Sequence, residues 1–70
     1  MKFLLSLQIC SAVLGQCSQP IDISPLYKSH YDCASAGYLQ SLKTIQNLGS
    51  IEVENKKIYV RFSCIELLNS

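Results

Sequence analysis

Residues 29–49 read SHYDCASAGYLQSLKTIQNLG, a stretch long and periodic enough to form one helix. Tyr31, Ala34, Tyr38, Leu42, Ile45 and Leu48 recur at spacings of three and four, which lays one apolar stripe along roughly five turns. Gln40, Lys43, Thr44 and Gln46 fall on the other faces. Ser29, with Asp32 three residues on, offers a capping-box-like start, and Gly49 is a natural residue to end on. Ser24-Pro25 offers a second, earlier start. The expected helix covers residues 30–48 and buries its stripe, so Leu42→Ala is expected to cost ~2–5 kcal/mol. Gly37 lies inside the helix, at ~1 kcal/mol relative to Ala; close packing against a strand accounts for it.

Outward from the helix the period changes to two. In the first ten residues Met1, Phe3, Leu5, Leu7 and Ile9 alternate with Lys2, Leu4, Ser6, Gln8 and Cys10, as in a strand with one buried face. Beyond the helix, Ile58, Val60, Phe62 and Cys64 alternate with Tyr59, Arg61, Ser63 and Ile65. Strands are therefore expected at about residues 2–10 and 57–66. Ser50 caps a short extra turn through Val53, and Asn55-Lys56-Lys57 forms a turn. Residues 11–25, with Ser11, Gly15, Ser18, Pro20, Asp22, Ser24 and Pro25, read as a long loop.

The order strand, helix, strand implies a single small α+β domain over residues 1–70. In it the helix packs on a two-stranded sheet in a parallel, right-handed βαβ-like unit. The expected core is Phe3, Leu5, Leu7, Tyr31, Ala34, Tyr38, Leu42, Ile45, Val60 and Phe62. Leu4, Tyr59, Ile65, Arg61 and Ser63 are left on an uncovered sheet face, so a homo-oligomer or a protein partner is expected. Residues 1–15 also resemble a signal peptide, with Lys2 as the charged start, an apolar run from Phe3 to Leu14, and a small-residue cleavage site at Gly15. Ser6 and Gln8 interrupt that run at alternating positions, which favours the strand. Cleavage there would remove Cys10 and imply export or secretion.

The chain has 49% hydrophobic and 16% charged residues, too apolar for disorder and too broken by polar residues for a membrane span. Its net charge of +1 gives little field toward phosphate, so nucleic acid is not expected as a partner. Lys56, Lys57 and Arg61, balanced in part by Glu52 and Glu54, read as a solvated turn and strand face. A core with two Phe and no Trp is thin for 70 residues. Cys10, Cys17, Cys33 and Cys64 are therefore expected to staple it as disulfides. In a parallel unit all four gather at one end, which favours Cys17 with Cys33 and Cys10 with Cys64. The second link closes the longer loop and stabilises most, by ~2–4 kcal/mol. Strict alternation puts Cys10 and Cys64 on opposite strand faces, and keeps Cys33 with Cys64 and Cys10 with Cys17 close behind.

Catalytic chemistry finds little to work with. His30 and Cys33 could meet on the helix's first turn, where the dipole lowers a thiol pKa, but no orienting third group or oxyanion site accompanies them. Zinc sites bring cysteines in close pairs, and the gaps here are wide. No metal or other cofactor and no catalytic residue is expected. Tyr31 and Tyr38 lie on the stripe, where core packing explains them better than a binding role; Tyr27, ahead of it, is free to be exposed.

In MKFLL with Cys10 and Cys17 following, in Tyr31-Asp32-Cys33, Gly37-Tyr38, Asn47 to Gly49, Val53 to Asn55 and Ile58 to Cys64, the chain resembles small orphan proteins of marine bacteriophages and viral metagenomes. The resemblance covers most of the chain and implies an accessory gene product with no catalytic residue to carry over. The expected function is a small non-enzymatic structural or protein-interaction protein. A cysteine-based redox or metal-binding protein is the alternative.

Overall fold

A computed structural model describes residues 1–68. In it β1 (Lys2–Ser11), β2 (Gln16–Cys17), β3 (Ile21–Tyr27), α1 (His30–Leu48), α2 (Ser50–Lys56) and β4 (Ile58–Leu67) follow in chain order. The long helix has the expected bounds, and both expected strands are present. Ser29 caps α1 as the sequence suggests, its Oγ accepting the Asp32 N–H at 3.1 Å. Gly49 ends it at φ 87°, its N–H donating to the Ile45 carbonyl. The extra turn after Gly49 is longer than expected: α2 runs to Lys56, and Lys57 closes it in the left-handed region at φ 50°.

The sheet corrects the expected topology. β1 is its centre, with β4 paired along one edge from Lys2↔Leu67 to Ser11↔Ile58. β2 and β3 share the other edge, β2 at Cys10↔Cys17 and Ser11↔Gln16, and β3 from Leu7↔Ile21 to Phe3↔Tyr27. All the pairings are antiparallel. The two-stranded parallel sheet expected from the sequence is thus a four-stranded antiparallel one.

The cause is the segment read as a loop. Residues 12–15 turn the chain, with the Gly15 N–H donating to the Ser11 carbonyl at 2.9 Å and Gly15 at φ 67°. The chain then runs back beside β1. At Ser18 the return strand is interrupted, and a side chain fills the gap: the Ile9 N–H donates to Ser18 Oγ at 3.0 Å, while the Ser18 N–H donates to the Ile9 carbonyl at 2.8 Å. Pro25 does not mark a helix start. It lies in β3 where the register with β1 shifts between Phe3 and Leu5, and such an irregularity on an edge strand tolerates a missing N–H. Because β3 reverses the chain before the helix begins, α1 carries it back and β4 descends alongside β1. The crossover therefore exists, but it joins β3 to β4, which point the same way with β1 between them.

Leu5, Leu7 and Cys33 form the buried centre, with Leu5 and Cys33 fully enclosed, and Cys10 is buried apart from them near the end of β1. Phe3, Ala34, Ile45, Val60 and Phe62 from the expected core are half-buried. Ser11, also buried, is satisfied twice over: its hydroxyl donates to the Lys56 carbonyl at 2.7 Å and accepts the Leu14 N–H at 3.1 Å. It ties the hairpin turn to the end of α2.

The helix corrects the expected core more sharply. Tyr31, Tyr38 and Leu42 are 78%, 72% and 54% exposed. The buried residues of α1 are Cys33 and Gly37. A second line at helical spacing, Cys33, Gly37, Ser41 and Thr44, faces the sheet in place of the large stripe. The Ser41 and Thr44 hydroxyls donate to the helix's own carbonyls at Gly37 and Gln40, 2.7 and 2.8 Å away, so neither is left unpaired as it approaches the sheet. Small residues let the helix sit low on β4, and a Cβ at residue 37 would clash with the Phe62 ring. Gly37→Ala is therefore expected to destabilise by ~1–3 kcal/mol through overpacking, although alanine gains ~1 kcal/mol in helix propensity. Thermal unfolding checks this; an equal or raised melting temperature would mean that α1 stands farther from the sheet.

Candidate interaction surface

The four cysteines were the first candidate site, and all are paired. Cys10 bonds Cys17 with Cα atoms 4.0 Å apart, and Cys33 bonds Cys64 at 6.0 Å. This overturns the favoured pairing of Cys17 with Cys33 and Cys10 with Cys64. Cys10 and Cys64 are each on β-strands paired in register, Cys10 opposite Tyr59 and Cys64 opposite Leu5, so five steps separate them along β1. Five is odd, and alternation puts them on opposite faces. Antiparallel pairing also scatters the expected cluster: Cys10 and Cys17 lie at one end of the sheet, and Cys33 with Cys64 lies toward the other. One disulfide staples the hairpin on the open face, and the second fastens the start of α1 to β4.

Paired cysteines leave no thiolate at Cys33 for His30 to activate. His30 instead lies edge-on to Phe3, with ring centroids 5.9 Å apart. Tyr27, expected to be free, is half-buried in β3 opposite Phe3. Lys56 pairs with Glu52 at 2.7 Å and Lys57 with Glu54 at 3.2 Å, which neutralises much of the basic cluster locally. Arg61 stands apart from both, on β4 across from Gln8.

Two surfaces remain. The sheet face away from α1 carries the cross-strand pairs Leu4↔Ile65, Ser6↔Ser63, Gln8↔Arg61 and Cys10↔Tyr59. Two polar pairs in the middle separate the apolar pairs at either end, so no continuous apolar patch forms. The outer side of α1 is different. Tyr31, Tyr38 and Leu42 share one ridge with Ile45 below them and Leu39 on the flank. Tyr38 is steadied from beneath by Phe62, edge-on at 4.9 Å and 82°. The ridge runs into a shallow cleft of ≈ 360 Å³ between α1 and α2, lined by Ile45, Gln46, Gly49, Ser50, Val53 and Glu54. Among the described residues, no helix is long and apolar enough to cross a membrane.

Comparison with known protein families, with curated proteins and with solved structures finds no match to this chain. The surface must be interpreted from its own chemistry.

The apolar period makes these ridge residues legible in the sequence but places them in the core, whereas Tyr31, Tyr38 and Leu42 are exposed. The signal that could have corrected it was present: Cys33, Gly37, Ser41 and Thr44 form a small-residue line at the same period, and Gly37 already pointed to a close strand neighbour.

Proposed function

We propose that this is a small, non-enzymatic protein-interaction module, stapled by two disulfides, that binds an apolar protein surface with the outer ridge of α1. One observation carries the reading: the helix turns its small residues to the sheet and its large apolar ones, Tyr31, Tyr38 and Leu42, to solvent. Isolated exposed apolar side chains are ordinary, but a contiguous patch on a small domain marks a contact surface. Tyrosines suit that role because they offer large rigid area with a polar tip. Four oxidised cysteines favour this reading over a thiol-based redox or metal-binding one, and fit an oxidising compartment. A chain of net charge +1 whose lysines at 56 and 57 are ion-paired has little to offer nucleic acid. The accessory role implied by the resemblance to small viral proteins is compatible with such a module. The reading also keeps residues 1–15 in the mature chain, since β1 pairs with each of the other strands; an intact mass lacking them would contradict it.

The test is Leu42→Glu. If the ridge is a contact surface, the variant keeps the far-UV circular dichroism of the parent. A variant that unfolds would show that the stripe belongs to the core.

A further inference from the structure

The ridge has a shape and a charge pattern that fit a copy of itself. Resting on the reading of α1 as a contact surface, we infer that the partner is a second copy of this chain, with the two α1 helices packed antiparallel about a twofold axis at Tyr38.

Three observations converge on that register. The first is charge. Asp32 and Lys43 project from the same flank of the ridge, eleven residues apart, and neither forms an ion pair among the described residues. In an antiparallel pair centred on Tyr38, residue 32 of one copy lies beside residues 43 and 44 of the other. A twofold axis brings equivalent flanks together. Asp32 of each copy then meets Lys43 of the other, twice over, with opposite charges facing.

The second observation is shape. In the same register Tyr31 of one copy lies over Ile45 of the other, at the mouth of the cleft between α1 and α2. Tyr31 is the most exposed of the ridge residues, at 78%. The cleft is roomy enough for a phenol ring and apolar along Ile45, Gly49 and Val53. Two Tyr38 rings meet near the axis, and Leu42 fills the space beside them. Helices crossing at a shallow angle keep such a seam in contact over several turns.

The third is area. Tyr31 and Tyr38 together with Leu39 and Leu42 supply on the order of 500 Å² per copy, taking ~150–250 Å² as the area an aromatic side chain can bury. The total of about 1,000 Å² reaches the lower bound for a specific protein interface. The open sheet face, with the polar pairs Ser6↔Ser63 and Gln8↔Arg61 across its middle, offers no comparable seam.

The experiment is sedimentation equilibrium of the full disulfide-bonded chain, with charge reversals. The wild type should sediment at twice its 7.8 kDa chain mass and dissociate on dilution. Asp32→Lys and Lys43→Asp should each weaken the dimer at least tenfold, while the double variant D32K/K43D restores it. The rescue is informative because a purely structural role for either residue predicts the double variant to be no better than the worse single one. A wild-type chain that stays monomeric to millimolar concentration overturns the inference, as does a dimer indifferent to the single reversals or unrescued by the double. A monomeric wild type whose Leu42→Glu variant stays folded would remove the second copy as partner while leaving the contact surface standing. If Leu42→Glu unfolds, both fall.

Discussion

Replacing Cys33 and Cys64 together by alanine will lower stability by ~4 kcal/mol, more than removing the Cys10–Cys17 bridge, which is expected to cost ~2.5 kcal/mol. The difference follows from loop length. Cys33 and Cys64 are 31 residues apart and Cys10 and Cys17 only 7, so the first bridge removes more freedom from the unfolded chain. Folded-state effects act in the same direction. Cys33 is fully enclosed where α1 begins, and its bridge is the covalent link between the helix and the sheet. A domain of this size has ~3–5 kcal/mol from its core alone, so the Cys33/Cys64 variant should be largely unfolded at 37 °C. Urea denaturation of both paired variants measures the difference. A Cys10–Cys17 deletion more damaging than the Cys33–Cys64 one would show that the hairpin, rather than the docking of the helix, limits stability.

Leu5→Ala is the second large effect, at ~2–5 kcal/mol. Leu5 sits on the central strand, opposite Cys64 on one side and Ile23 on the other, and has no solvent exposure. Few neighbours are free to collapse into the cavity: one is a half-cystine, and the helix above is held close by Gly37 against Phe62. Leu42→Ala, which the sequence alone places in the same range, should cost well under 1 kcal/mol in the folded monomer because Leu42 is 54% exposed. The contrast between two leucine truncations of identical chemistry measures which stripe of α1 faces inward. Equal losses would return Leu42 to the core.

The sequence reveals elements better than their partners. α1 is legible to the residue because three independent local signals coincide there: the Ser29 cap, the apolar spacing and Gly49. β1 and β4 are legible because each carries four apolar residues at alternate positions, Phe3 to Ile9 and Ile58 to Cys64. β3 is hidden because Asp22, Ser24 and Pro25 break the alternation of Ile21 and Ile23, and an edge strand draws its order from a neighbour already in place. Missing that one strand reverses the direction of everything after it, which turned an antiparallel sheet into a parallel one and gathered four cysteines that the fold keeps apart. The rotation of α1 is hidden for another reason. Periodicity identifies stripes, but both the Tyr31-Tyr38-Leu42 stripe and the Cys33-Gly37-Ser41 line have the period of a helix. Hydrophobicity alone chooses the first. A disulfide from Cys33 and the need for close approach at Gly37 choose the second.

The two disulfides divide the work, Cys10–Cys17 stapling a hairpin and Cys33–Cys64 fastening the helix to the sheet. A non-reduced tryptic map tests this pairing directly. There is no Lys or Arg between Cys10 and Cys17, whereas Lys28, Lys43 and Arg61 isolate Cys33 and Cys64 on separate peptides. The expected map shows the peptide of residues 3–28 alone, closed on itself, and a second species joining residues 29–43 to residues 62–70. Either other pairing links all three peptides into one species, and its recovery, or that of four free thiols, would show that the helix is not fastened to β4 through Cys33 and Cys64.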